Sequence, residues 1–403
     1  MNPLLQHNSE TASNHLSEHP SRTALVLGGG GSAGNAWLIG VIAGLSEAGF
    51  DVTETDLIIG TSAGSTTAAQ VTSATPADLL ADILAAAPRP RTGPAGSDRG
   101  PVPMRPATNH METTSAIIAA AEDAADMRRR MGAWALEMDA ASHSSAQTQW
   151  RATVAARLPS QLWPQRRMLI TAVDAHTGEP VVFDRHSGVD LVDAVAASCA
   201  SGFAYGIGGS RYIDGGYRSN AENVDLAAGC ARVLVLSPFG GRSRTPVDWG
   251  MHLATQVDEL RARGSRVETI FPDSNSRTAF GDNVMDLSTR PPAARAGYDQ
   301  GRALAEQLTG FWRCSWPAPG VVLQSRPQRG EMTHVVHPHG SLMSGRFVDY
   351  QVGTISGRVQ PVDALGPSYG FVTLLVTQFD VDAFAGGISL HLKVGCGLTE
   401  RWA

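Results

Sequence analysis

Asp56-Leu57-Ile58-Ile59-Gly60-Thr61-Ser62-Ala63-Gly64 is a short apolar run that stops at a glycine and places a serine at the centre of G-x-S-x-G. The run reads as a strand, and Ser65 to Gln70 reads as the start of a helix. A chain that turns sharply from strand into helix needs small residues on both sides of the turn. Gly60 and Gly64 remove the Cβ atoms that would clash there. Ser62 is then held on a strained elbow with its Oγ exposed, and the next helix aims its N-terminus at whatever binds. A bare G-x-S-x-G also occurs in ordinary Gly/Ser loops, and the strand-then-helix setting is what distinguishes an elbow.

Upstream, Thr23 to Leu27 reads as a buried strand that runs straight into Gly28-Gly29-Gly30-Gly31-Ser32-Ala33-Gly34. Ala36 to Ala48 follows as a helix with Trp37, Val41 and Leu45 along it, closed by Gly49. The order strand, glycine turn, helix, strand, elbow, helix predicts an α/β fold on a mainly parallel sheet. Downstream, residues 88–110 form a Pro/Gly/Arg-rich insertion, and residues 111–157 are Ala-rich and helical. Met168 to Val173 and Val181 to Phe183 read as strands, Val189 to Ser198 as a helix, and Cys199 to Gly209 as a Gly-rich turn region. Arg211 to Asp214 is a short strand ending in a tight turn at Gly215-Gly216. Ala231 to Ser237 is one more buried strand, and Met251 to Arg263 and Pro292 to Trp312 are helices.

The expected organisation is a disordered N-terminus over 1–21, one domain over 22–316 and a C-terminal extension over 317–403. In the extension helix signals vanish. Short β-like runs at Val321 to Leu323, Phe347 to Val352, Phe371 to Phe379 and Ile388 to Val394 alternate with Gly/Pro turns, so it is β-rich or disordered.

Composition narrows the function. At 42% hydrophobic and 17% charged residues, with a net charge of −6, the 403-residue chain is an ordinary globular protein without the basic stripe that nucleic acid demands. Lys393 is its only lysine, which removes a Walker-type phosphate loop and disfavours Schiff-base chemistry. Cys199, Cys230, Cys314 and Cys396 are scattered, without a C-x-x-C pair. Neither a metal knuckle nor a disulfide framework is indicated, and reduced thiols fit the cytoplasm. His334, His337 and His339 lack a fourth ligand at a known spacing, so no metal site is assigned. The N-terminus has no secretory pattern, and no apolar run is long enough to span a bilayer, so any membrane contact is expected to be peripheral.

Three pieces supply what acyl transfer needs. Ser62 offers a hydroxyl nucleophile, which is inert without a base. The backbone N–H groups of Gly29, Gly30, Gly31 and Ser32, at the positive end of a helix, suit a developing oxyanion. Asp214 offers a carboxylate acid/base, with Gly215 and Gly216 permitting the turn that brings it to Ser62.

The trio G-G-G-x-x-G (Gly29 to Gly34), G-T-S-A-G (Gly60 to Gly64) and D-G-G (Asp214 to Gly216) resembles the patatin-like phospholipase family. The stretches Ala172 to Gly178 and Asp193 to Ser198 also look like its bacterial members, so the resemblance covers roughly residues 23–312. It implies a three-layer α/β/α sandwich. It also implies a cofactor-free serine acyl hydrolase that cleaves lipid acyl esters through a Ser62–Asp214 dyad and an acyl-enzyme, with Gly29 to Ser32 as the oxyanion hole. A dyad of this kind loses activity only as Asp214 is protonated, well below neutral pH unless burial raises its pKa.

The sequence departs from the family at two places. The family turn commonly carries Arg or Lys where this chain has Ala33, and a proline is common where it reads Ser201-Gly202-Phe203-Ala204-Tyr205. These departures keep a weakened lipid- or protein-binding relative as the alternative.

Two other readings fit less well. Gly29-x-Gly31-x-x-Gly34 matches a dinucleotide turn, but the second strand ends without the acidic residue that would hold a ribose. A Ser-Asp-His triad would have to use His252, which falls in a helix-like segment rather than a loop after a strand.

Overall fold

The computed structural model describes residues 22–86, 107–140, 145–313, 355–358, 371–384 and 387–395. The expectations for 1–21, for most of the 88–110 insertion, for the histidines at 334–339 and for strands near 321 and 347 lie outside these residues. The chain divides into two compact units, Met1–Gly320 and Val321–Ala403.

In the first unit the elements run β1 (Thr23–Leu27), α1 (Gly31–Glu47), β2 (Leu57–Gly60), α2 (Ala63–Val71), α3 (Pro76–Ala85), α4 (Ala107–Ala120), α5 (Ala124–Ala140) and α6 (Ser145–Ala155). They continue through β3 (Arg167–Asp174), β4 (Pro180–Phe183), α7 (Leu191–Ser198), β5 (Tyr205–Ile207), β6 (Ser210–Asp214) and β7 (Arg232–Leu236). The unit closes with α8 (Leu253–Ala262), β8 (Arg266–Ile270), α9 (Ser274–Phe280) and α10 (Arg290–Arg313).

The sheet order is β5-β6-β3-β2-β1-β7-β8, with β4 paired to β3. The five strands from β3 to β8 are parallel neighbours, while β4, β5 and β6 add antiparallel edges. Parallel strands buried on both faces should read as continuous apolar runs, and β1, β2 and β7 do. Alternate residues feed opposite layers. Leu25, Leu27 and Ile58 pack with α1, α2, α7 and α10, whereas Ala24, Val26, Leu57 and Ile59 pack with α8. The architecture is therefore a three-layer α/β/α sandwich with a mostly parallel sheet.

The α1–α10 contact anchors one layer. A Cβ on Gly40 or Gly44 would land on the backbone of Ala294 or Tyr298, and one on Gly297 or Gly301 on that of Trp37 or Val41. The two helices thus touch backbone to backbone, and Trp37 Nε1 donates across to Gln300 Oε1 at 3.0 Å.

Several boundaries differ from the sequence reading. Helix α1 begins at Gly31 rather than Ala36, so half of the expected glycine turn is already helical. Residues 111–157 split into three helices, and β5 lies inside the segment read as a turn. α3, β8 and α9 carried no signal that the reading picked up. Helix α8 starts at Leu253 with His252 at its cap.

In the second unit β9 (Ile355–Arg358), β10 (Phe371–Phe384) and β11 (Gly387–Gly395) form an antiparallel sheet in the order β11-β10-β9. The β10–β11 ladder shifts register between Val376 and Gln378.

Candidate active site

Strand register sets the site. In the parallel β2–β3 pair Gly60 lies opposite Ile170, and in the antiparallel β3–β6 pair Ala172 lies opposite Asp214. Ser62, two residues past Gly60, therefore comes level with Asp214 across the end of β3. The Ser62 hydroxyl donates to Asp214 Oδ2 at 2.8 Å.

The elbow is strained as the sequence implies. Ser62 adopts φ 51, ψ −117, a region costing on the order of 1–3 kcal/mol for a residue with a side chain. A Cβ on Gly64 would land on Leu27 O, and one on Gly60 would approach Ser65 Cα to 2.6 Å, so both motif glycines answer to close backbone approach. Hydrogen bonds hold the strain in place. The Ser62 amide donates to Ser198 Oγ at 2.9 Å, and the Gly64 amide donates to Thr61 O at 2.8 Å.

Asp214 is 7% exposed. Its Oδ1 accepts from the Gly216 amide at 2.8 Å, while Oδ2 accepts from Ser62. Burial raises its pKa to about 6, against the lowering pull of those two hydrogen bonds. A Cβ on Gly215 would collide with Thr171, which is why this turn begins with glycine. Gly216 has only the Asp214 carboxylate near it, at 3.1 Å.

The glycine turn behaves less uniformly than expected. The Gly29 amide donates to Ala221 O at 2.8 Å, so Gly29 is not an open donor. Its Cα instead faces Ser62, whose Cβ would lie 3.6 Å from a Cβ at that position. The amides of Gly30, Gly31 and Ser32 have no partner among the described residues. The Ala33 amide is taken by Val284 O at 2.9 Å. Gly31 has φ +63, and Gly30 and Gly34 sit against Pro238. The set of candidate oxyanion donors narrows to three amides on the first turn of α1, where the helix dipole adds to them.

Sequence reading missed the residues that hold these parts together. Asn223 is fully buried, in a left-handed conformation with φ 55. Its Nδ2 donates to Thr61 Oγ1 on the elbow and to Gly215 O on the aspartate turn, both at 3.0 Å. Nothing in the sequence marks Asn223, because Thr61 is 162 positions away and the contact with Gly215 is made by a turn without a local signature. Glu222 beside it is 1% exposed and accepts from Ser237 Oγ at 2.6 Å. Burial lifts its pKa to about 7.

Among the described residues no histidine hydrogen-bonds to Ser62 or Asp214. His252 Nε2 donates to Thr245 O at 2.8 Å, and exposed His176 sits in the β3–β4 turn. His110, in α4, lies 3.3 Å from Ser201 Oγ and 3.5 Å from Tyr217 Oη. Burial and the nearby Arg244 lower its pKa. No group of three or more His, Cys, Asp or Glu residues able to hold a metal ion occurs among the described residues.

The model of one family, described as patatin-like phospholipase, matches residues 25–227, just over half of the chain. The chain belongs to the patatin-like phospholipase family. No curated protein matches it. Two solved structures similar to it are VipD from Legionella pneumophila, and ExoU from Pseudomonas aeruginosa in complex with SpcU. VipD is 12% identical with TM-score 0.33, covering 71% of this chain and 67% of VipD. ExoU is 16% identical with TM-score 0.27, covering 70% of this chain and 53% of ExoU, so the chain spans about half of ExoU's length. No described helix is long and apolar enough to cross a membrane.

Proposed function

We propose that this protein hydrolyses lipid acyl esters through an acyl-enzyme on Ser62, with Asp214 as the general acid/base. The single observation carrying this reading is the 2.8 Å hydrogen bond from the strained Ser62 elbow to a buried carboxylate. As Oγ attacks the ester carbonyl, its proton passes to Asp214 Oδ2. The tetrahedral oxyanion forms facing the first turn of α1, where the open amides of Gly30, Gly31 and Ser32 would receive it; one such donor is worth on the order of 2.7–4 kcal/mol. Collapse breaks the bond to the leaving alkoxide, which takes the proton from Asp214. Water then attacks the acyl-enzyme with Asp214 again as base, releasing the acid and restoring Ser62.

Burial matters to this chemistry. A carboxylate with its ordinary pKa is a weak base, and raising Asp214 to about 6 makes it a stronger one while leaving it mostly ionised at pH 7. We place the reaction in the cytoplasm with peripheral contact to lipid. The free thiols of Cys199 and Cys230 support a reducing compartment.

The test is steady-state hydrolysis of a short-chain ester by the parent and by Ser62→Ala. The parent turns over and the variant loses at least about 1000-fold, as for other lost nucleophiles. An equally active variant would end the assignment. An inactive parent would favour the lipid- or protein-binding alternative.

A further inference from the structure

The end of α7 and the residues after it run past both members of the dyad. Ser198 Oγ accepts from the Ser62 amide at 2.9 Å, and Ala200 O accepts from the Asp214 amide at 3.0 Å. Ser201 comes next, and its side chain is exposed. Its Oγ lies 3.3 Å from Tyr217 Oη and 3.3 Å from His110 Nε2, and those two are 3.5 Å apart. Tyr217 ends the single 3₁₀ turn that Asp214 caps, so it stands one turn beyond the carboxylate. His110 comes from α4, and Gly202 makes room for its ring. A Cβ on Gly202, where φ is +88, would lie 2.9 Å from His110 Nδ1. Arg244 fastens α4 in place, donating from Nη1 to Thr114 Oγ1 at 2.8 Å and to Ser115 Oγ at 3.1 Å. Three distant segments thus deliver a serine, a tyrosine and a histidine to one spot beside Asp214.

This trio has bonding capacity left over. Hydrogen bonds between hydroxyls usually close at about 2.7–2.8 Å, and all three contacts here are longer. Each group has one proton to give and lone pairs to accept with. A further hydroxyl set among them can accept from one and donate to another, and contacts of this kind tighten when a ligand arrives. Burial and the nearby Arg244 lower the His110 pKa, which favours neutral imidazole, so an uncharged hydroxyl is the matching ligand. The position also fits one part of a substrate. In the tetrahedral adduct on Ser62 the oxyanion faces the first turn of α1. The leaving oxygen must reach the proton on Asp214 Oδ2, so it departs on the Asp214 side, where Tyr217 and Ser201 stand. The acyl chain takes the remaining direction.

We propose that Ser201, Tyr217 and His110 form an alcohol-side subsite that binds a free hydroxyl on the leaving group. The preferred substrates are then partly acylated polyols, ahead of esters of simple alkanols. The proposal rests on reading Ser62 and Asp214 as the dyad, and it makes the three residues specificity-determining.

The test compares kcat/KM for glycerol monobutyrate and propyl butyrate, which share the acyl group and the three-carbon alcohol and differ in the hydroxyls. Tyr217→Phe and Ser201→Ala each remove one oxygen and little else. Each should lower the glycerol-to-propyl ratio about three- to tenfold, chiefly through KM. His110→Ala should do the same, and His110→Gln, which keeps a hydrogen-bonding group, should recover part of the ratio. Arg263→Ala, an exposed arginine elsewhere, should leave the ratio at the parent value. If the variants slow both esters alike, the trio only supports the fold and the subsite is overturned; a ratio and rates that do not move overturn it as well. A parent that cleaves neither ester, or a Ser62→Ala variant as active as the parent, overturns the nucleophile reading instead. Thermal unfolding of the full chain then decides the subsite alone, with uncleavable 1-O-butylglycerol set against butyl propyl ether. A Tm raised more by the glycerol ether, and by less in Tyr217→Phe, supports the hydroxyl site, and equal shifts overturn it.

Discussion

Ser62 and Asp214, 152 positions apart in the chain, meet at 2.8 Å because β3 lies between their strands and pairs with both. The contact combines a strained backbone with a desolvated carboxylate, and each half has a measurable consequence.

The first consequence is in pH. Asp214 must be ionised to accept the Ser62 proton, and burial raises its pKa to about 6. Activity should therefore fall as pH drops through about 6, roughly tenfold for each further unit. The sequence places this limb well below neutral unless burial raises the carboxylate's pKa, and the burial of Asp214 meets that condition. A kcat/KM profile between pH 4 and 8 checks it; a limb near 4 would mean that Asp214 is solvated during turnover.

Because an imidazole titrates in the same range, the profile cannot by itself separate a dyad from a triad. Variants can. Asp214→Asn should be nearly inactive, while His252→Ala and His176→Ala should stay within about threefold of the parent. His252 is engaged with Thr245 O, and His176 lies on an exposed turn. A loss of about 1000-fold in either histidine variant would point to a triad.

Asn223 should matter more than its distance from the chemistry suggests. Asn223→Ala leaves Thr61 Oγ1 and Gly215 O without its donor and forces a residue with φ 55 to accept alanine. The expected cost is about 2–4 kcal/mol in chemical denaturation, with a fall in kcat exceeding that in Asn223→Asp, which tolerates the left-handed backbone better. Unchanged kcat would show that the elbow and the aspartate turn do not need this clamp.

Much of this layout was legible from residues close in sequence. Thr23 to Leu27, the Ser62 elbow and the Asp214 turn carry local signatures: an apolar run, paired glycines, a D-G-G turn. What was not legible depends on partners far along the chain. The Gly29 amide is lost to Ala221 O, the glycine turn is half helical, and Asn223, Ser198 and Arg290 are placed by contacts between distant segments. β5 is only three residues long and Gly-rich in its surroundings, so turn chemistry masked it.

The first compact unit contains all of these residues and ends at Gly320, after α10 has packed on α1. A chain stopped after Gly320 should fold cooperatively and retain ester hydrolysis, whereas one stopped before α10 should not, because the glycine-lined α1 face would be stripped. Circular dichroism melts and ester turnover of the two truncations check this; an inactive, unfolded 1–320 chain would make the C-terminal strands part of the working domain.

The most direct measurement is covalent labelling with a fluorophosphonate probe followed by peptide mass mapping. The parent should carry one adduct, on Ser62, and Ser62→Ala should carry none. An adduct on another serine, such as Ser201 beside His110, or labelling that persists in Ser62→Ala, would contradict the Ser62–Asp214 account.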